Sequence, residues 1–200
     1  MLSIAIQAGG ESRRMGQNKA LMAFNGRPLV QFVAERLAPA ADELFVTAQQ
    51  PGLYDFLGLP VYADVVPGRG PLGGLLTALR RAGHPLLGMV ACDMPFASAA
   101  LLQHQAQLLS TFQADIAVPE TGQGLEPFHA VYRVATCLPA VEQAIAAGEW
   151  KLSGWFERVR VHVLGPAVWG AYDPERAVFM NLNTPDDFRE AEERGARGAR

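Results

Sequence analysis

Directly behind a short apolar run, residues 6–29 (IQAGGESRRMGQNKALMAFNGRPL) carry four glycines and four cationic side chains. Glycines let backbone N–H groups approach an anion closely, and Arg13, Arg14 and Lys19 add positive charge, so the segment can form a cradle for phosphate. The same composition also describes a basic surface turn, and composition alone does not separate the two. Asp93 follows Met89-Val90-Ala91-Cys92 and precedes Met94-Pro95, a carboxylate emerging from a buried strand. Such a carboxylate can hold a Mg²⁺ that carries substrate phosphates, or it can simply start a turn before proline. Asp64 ends the preceding strand in the same way, with the same two meanings. Asn181 and Asn183 lie two residues apart, which on a strand points both amides to one face, toward a ligand or a metal-bound water.

Two named phosphate motifs are absent or misplaced. A Walker A loop needs Gly-Lys in sequence, but here Gln17 and Asn18 separate Gly16 from Lys19. Gly68-Arg69-Gly70-Pro71-Leu72-Gly73 does satisfy G-x-G-x-x-G. Pro71, however, removes an N–H where a helix N-terminus should face pyrophosphate, so this is a poor dinucleotide site and an NAD-dependent oxidoreductase is not indicated. The four histidines, His84, His104, His129 and His162, share no motif.

These residues need elements to position them. Ser3–Gln7, Glu43–Ala48, Val61-Tyr62, Leu86–Ala91, Asp115–Val118, Phe128–Arg133 and Val159–Leu164 read as strands by length, composition or alternation. Between them, helical spacing covers a segment opening at Pro28, Leu72–Ala82, a helix capped by Ser98 through about Leu109, and one near Leu138–Ala147. Residues 119–126 (PETGQGLE) read as a loop. Thr184 as N-cap, Pro185 at the first helical position and Asp187 three after the cap start a last helix, which is expected to fray into the polar tail. Alternating strands and helices predict an α/β fold of three layers, a mostly parallel sheet with helices on both faces, in one domain spanning residues 1–200. In such sheets ligands bind beyond the carboxyl ends of strands, where the glycine-rich segment and Asp93 both fall.

The totals narrow the function classes. With 17 basic against 20 acidic residues, the net charge is −3, so no global field draws the chain to nucleic acid or an anionic membrane. Cys92 and Cys137 lie far apart, which fits neither a disulfide framework nor a structural zinc site and agrees with a reducing cytoplasm. The N-terminus has no basic region before its apolar residues, so a signal peptide is not expected, and no apolar run is long enough to span a membrane.

Taken together, Ala8-Gly9-Gly10-x-Ser12-x-Arg14-Met15-Gly16-x-x-Lys19-Ala20 resembles the signature of nucleotidyltransferases with a Rossmann-like, GT-A-like fold. Gly70-Pro71-Leu72-x-Gly74, Cys92-Asp93-Met94-Pro95, Glu126-Pro127-x-x-Ala130-x-Tyr132 and Asn181-x-Asn183-Thr184-Pro185 follow in order, and with them the chain resembles the bacterial molybdenum cofactor guanylyltransferases. The resemblance implies transfer of GMP from GTP to the terminal phosphate of molybdopterin with Mg²⁺ as cofactor; CMP transfer, or transfer to another acceptor on the same fold, is the alternative. It implies that Gln7, Ala8, Gly9, Gly10, Ser12 and Arg13 line the nucleotide, that Arg14 and Lys19 balance the triphosphate, and that Asp64 sits near ribose or base. It implies Asp93 as the metal ligand, Gly70, Pro71 and Leu72 as a pocket wall, and Asn181 and Asn183 on the molybdopterin side. A monomer or weak oligomer is implied, passing its product to molybdenum insertion or target-enzyme chaperone proteins. The chain departs from the family pattern at Gln7, where an apolar residue is usual, and at Thr47-Ala48-Gln49-Gln50, where an Asn is common.

Overall fold

A computed structural model describes residues 1–8, 18–173 and 176–198, without the side chains of 196–198. Among the described residues ten strands form in chain order: β1 Leu2–Gln7, β2 Ala23–Phe24, β3 Arg27–Pro28, β4 Glu43–Ala48, β5 Val61–Ala63, β6 Leu86–Ala91, β7 Ile116–Thr121, β8 Gly124–Leu125, β9 His129–Arg133 and β10 Val161–Leu164. The main sheet has the order β10-β7-β9-β6-β1-β4-β5, with β8 paired to β7 and a separate β2–β3 ribbon. Neighbours β6, β1, β4 and β5 run parallel, as do β7 and β10, while β9 runs antiparallel to both β6 and β7. The sheet is thus mixed but mostly parallel.

Among the described residues six α-helices complete the layers: α1 Leu29–Leu37, α2 Gly70–Arg81, α3 Ala99–Thr111, α4 Val134–Ala146, α5 Pro166–Trp169 and α6 Pro185–Gly198. Side chains alternate along each strand, so the sheet feeds two separate cores. Ile4, Ile6, Val46, Val90 and Val131 pack with α1, α3 and α6 residues such as Val33, Leu101 and Phe188 on one face. Ala5, Phe45, Met89, Ile116 and Tyr132 pack with Leu72 and Leu75 of α2 and Val141 of α4 on the other. Strands covered on both faces must be apolar throughout, and β1, β4 and β6 nearly are.

Several boundaries differ from the sequence expectation. The loop expected at 119–126 is a hairpin: β7 continues through Thr121 and pairs with β8, Glu120 opposite Leu125 and Thr121 opposite Gly124. Pro119 does not stop β7 and lies opposite Leu164 of β10. Helix α2 begins two residues before Leu72 because Gly70 takes φ +54 and Pro71 fits the first turn. Helix α4 begins at Val134, with Pro139 inside it, because the buried Cys137 and Ala140 must face the core on one continuous helix. Helix α6 does not fray where the polar tail begins at Glu190 but runs on to Gly198. Residues 181–183 form no strand, so Asn181 and Asn183 flank the buried Leu182 in an irregular segment instead.

What this positions is the carboxyl edge of the sheet. Successive strands leave β1 on opposite sides, β4 to one and β6 to the other, which opens the crevice where ligands bind in such sheets. Gln7 and Ala8 end β1 there, with Gln7 in register with Thr47 and Ala91 on its two neighbours.

Candidate active site

The main chain of the crevice is closed by hydrogen bonds beyond the strands. Ala8 N–H donates to the Thr47 carbonyl at 2.8 Å, and Cys92 N–H donates to the Gln7 carbonyl at 3.0 Å. The chain re-enters at Asn18, whose side-chain oxygen accepts from Ala20 N–H and caps a short 3₁₀ turn at Lys19–Leu21. The Asn18 amide nitrogen donates to the Tyr54 hydroxyl at 2.9 Å, and that hydroxyl donates to the Ala8 carbonyl at 3.0 Å. The two ends of the glycine-rich segment are therefore joined through a buried tyrosine.

From this turn Lys19 reaches back over the crevice. Its ammonium donates to Asn183 Oδ1 at 2.6 Å and lies 3.5 Å from Asp93 Oδ2. Asp93 follows β6, and its carbonyl accepts the Leu182 N–H at 2.9 Å, which pins the segment carrying Asn183 beside it. Three residues from distant parts of the chain thus meet at one point: a cation, a carboxylate and an amide.

Burial raises the Asp93 carboxyl above its ordinary range, and the charge and hydrogen bond of Lys19 only partly offset this. The ammonium at 3.5 Å is at the limit of a hydrogen bond, which explains the incomplete compensation. Burial likewise pushes up the neighbouring Cys92 thiol, and the Asp93 charge adds to it, so Cys92 is no nucleophile. Among the described residues no group of three or more His, Cys, Asp and Glu gathers to hold a metal. A single carboxylate fits Mg²⁺, which binds through one or two carboxylates, waters and substrate phosphates, better than it fits a cation caged by protein alone.

The other expected site residues do not meet at this point among the described residues. Gly9, Gly10, Ser12, Arg13 and Arg14 lie outside the described residues. Asp64 follows the edge strand β5, half-buried, with its carboxyl raised by burial. Three strand spacings separate β5 from β6, about 14 Å at standard spacing. Gly70 and Pro71 are exposed at the start of α2, whereas the Leu72 side chain is fully buried in the core and does not face the crevice. Asn181 is exposed and donates to the Phe179 carbonyl at 3.0 Å, apart from Lys19 and Asp93.

Gln7 is, with Ser3, one of two buried polar residues in β1. It is 6% exposed, and its Oε1 is buried without a hydrogen-bond partner. Its amide lies over Gly74 of α2, where a Cβ would come within 2.4 Å of it. Gly74 therefore permits an amide at this end of β1.

Tyr54 and Asn18, which tie the glycine-rich segment to β1, were not singled out from the sequence, nor was the backbone grip on Leu182. Asn18 before a short turn is an N-cap signal that could have been found. Tyr54 sits in a 3₁₀ helix at Pro51–Leu57 whose composition carries no comparable mark.

A family model described as a MobA-like NTP transferase domain matches residues 4–162. The chain is 38% identical to a molybdenum cofactor guanylyltransferase of Cereibacter sphaeroides, over 94% of this chain and 93% of the relative. It is 36% identical to a probable molybdenum cofactor guanylyltransferase of Pelotomaculum thermopropionicum, over 93% of this chain and 89% of the relative. The crystal structure of molybdopterin-guanine dinucleotide biosynthesis protein A from Archaeoglobus fulgidus superposes with a TM-score of 0.85 at 27% identity, covering 98% of this chain and 99% of that one.

Proposed function

The chain belongs to the MobA-like NTP transferase domain family, and from that premise we propose that it transfers GMP from GTP to the terminal phosphate of molybdopterin. A non-bridging oxygen of the molybdopterin phosphate attacks the α-phosphorus of GTP, the new P–O bond forms, the bond to the β-phosphate oxygen breaks, and pyrophosphate leaves. The product is the guanine dinucleotide form of the cofactor. The attacking monoester oxygen is already anionic near neutral pH, so the reaction needs no general base from the protein. The obstacle is repulsion between anions, and fixed positive charge at the crevice answers it.

The observation that carries this reading is the meeting of Lys19, Asp93 and Asn183 at the carboxyl edge beside the ends of β1 and β6. Lys19 is the described cation there, and it would neutralise the triphosphate as charge moves onto pyrophosphate. Asp93 would hold Mg²⁺, which supplies further charge neutralisation on the phosphates when bound. Arg13 and Arg14 would assist, and main chain at Gln7, Ala8, Gly9 and Gly10, with Ser12, would line the nucleotide. Asp64 would bound the nucleoside end, Gly70 and Pro71 the pocket wall, and Asn181 the molybdopterin side. One domain performs the reaction, in the cytoplasm, as a monomer or weak oligomer. Among the described residues no helix is long and apolar enough to cross a membrane.

A melting-temperature panel with Mg²⁺ and single nucleotides tests the assignment. Binding to the native state alone adds about 2.7 kcal/mol at a hundredfold excess over Kd, so GTP should raise the melting temperature more than CTP, ATP, UTP or NAD. A larger shift with CTP would overturn the guanine assignment.

A further inference from the structure

We propose that Asp187 is a positioning residue for Lys19, acting through Asn183. This rests on the function proposed above only in assigning Lys19 to the nucleotide. The sequence explains Asp187 by helix capping, and that part holds: Thr184 Oγ1 accepts the Asp187 N–H at 3.2 Å at the start of α6. A capping box also accounts for the Thr184 N–H on the Asp187 carboxylate, but not for the Asn183 N–H that the same oxygen accepts. Asp187 Oδ2 accepts the N–H of Asn183 and the N–H of Thr184, each at 2.7 Å. The Asn183 contact is the foremost cause that holds the Asp187 carboxyl below its ordinary range, and the Lys19 charge contributes as well.

The segment before α6 is therefore gripped at two points. Leu182 is fully buried and donates its N–H to the Asp93 carbonyl at 2.9 Å. One residue later Asp187 holds the Asn183 N–H. With its main chain fixed from both sides, Asn183 presents its amide oxygen to the Lys19 ammonium at 2.6 Å. Asp93, at 3.5 Å, is the weaker of the two tethers. The difference matters chemically. An amide oxygen fixes an ammonium in place without cancelling its charge, whereas a close carboxylate would neutralise it before an anionic ligand arrived. The arrangement also reassigns Asn183, expected on the molybdopterin side, to the cation.

Two measurements separate positioning from capping. The first needs no nucleotide: the rate at which an amine-modifying reagent labels Lys19 in the intact chain, followed by mass spectrometry. Asp187→Ala should raise that rate, since the ammonium loses its tether, and Thr184→Ala, which removes only the cap hydroxyl, should not. The second is calorimetry with Mg²⁺ and GTP. Asp187→Ala should weaken binding roughly five- to tenfold in the native chain but add nothing in a Lys19→Ala background, the mark of two residues acting as a unit. Equal labelling rates in Asp187→Ala and the native chain would overturn the proposal, as would an equal loss of affinity from Asp187→Ala with and without Lys19. Faster labelling together with GTP affinity indifferent to Lys19→Ala would uphold the tether and overturn the nucleotide assignment instead.

Discussion

Asp93, partly buried, and Asp115, buried, are both carboxylates at strand ends beside cations, Asp93 past the carboxyl end of β6 and Asp115 before the amino end of β7, at opposite edges of the sheet. Asp115 accepts from Arg160 main chain at 3.0 Å, from the Arg160 guanidinium at 3.1 and 3.2 Å, and from the Thr136 hydroxyl at 3.0 Å. Burial pushes its carboxyl up, but the Arg160 and Thr136 hydrogen bonds and the Arg160 charge outweigh it and hold it below the usual range. Asp93 has one ammonium at 3.5 Å, and burial wins there. One edge is complete in itself and the other is left short of partners. A buried charge without its full complement costs stability, so the short side is where a ligand has most to offer.

The comparison breaks most directly by removing each carboxylate. Asp93→Ala should lower transfer by roughly 10²–10³, by analogy with loss of one preorganised charge-stabilising group. It should leave the melting temperature unchanged or raised, since a raised carboxyl is destabilising when ionised. Asp115→Ala should do the reverse, costing about 3 kcal/mol of folding through several charge-assisted hydrogen bonds, with transfer per folded molecule intact. Urea midpoints and a pyrophosphate-release assay on both variants decide it. A severe folding loss in Asp93→Ala would show that this edge is structural too.

His129 extends the contrast to pH. It is fully buried near the site edge, its Nε2 accepts the Ser98 N–H at 2.9 Å, and its Nδ1 has no hydrogen-bond partner. Burial lowers its imidazole from 6.5 to about 4. Between those values the unfolded chain binds a proton that the folded chain refuses. Its contribution is therefore complete above about pH 6.5 and lost as pH falls toward 4, in total about 3 kcal/mol. Asp115, with a lowered carboxyl, begins to lose its contribution only as pH falls below the ordinary carboxylate range. Urea midpoints between pH 7 and pH 4.5 should thus fall in the native chain and stay flatter in His129→Gln, and parallel curves would remove His129 from this account.

How much of this was legible beforehand follows the same division. The strands were visible because two-sided burial makes β1, β4 and β6 largely apolar, and Glu43–Ala48 and Leu86–Ala91 stand where the sequence placed them. Lys19 and Asp93 were visible because their types carry chemistry at a predicted strand end. Their meeting with Asn183 was not, since it depends on Leu182 donating to Asp93 across 89 positions of chain, a contact no local spacing encodes. The β7–β8 hairpin was missed because proline, glycine and polar residues read as loop, while Pro119 is held in β7 opposite Leu164 of the distant β10. The role of Asp115 escaped for a related reason, its partner Arg160 being brought alongside only by the β7–β10 pairing.

The smallest test lies at Gln7, whose amide oxygen is unpaired like the under-partnered Asp93 carboxylate, but uncharged. An unsatisfied buried acceptor costs about 1–3 kcal/mol, so Gln7→Leu, which removes it at similar volume, should stabilise the free protein by about 1 kcal/mol. Gly74→Ala should cost about 1–2 kcal/mol in the native chain, because the new Cβ meets the Gln7 amide at 2.4 Å. In a Gln7→Ala background that clash disappears and alanine's better helix propensity, near 1 kcal/mol, should leave the change neutral or favourable. A destabilised Gln7→Leu would mean that the amide is held by packing it cannot lose. Gln7 would then belong with Asp115, among the groups the fold has already satisfied, and the shortage of partners at the carboxyl edge would narrow to Asp93, Thr47 and His129.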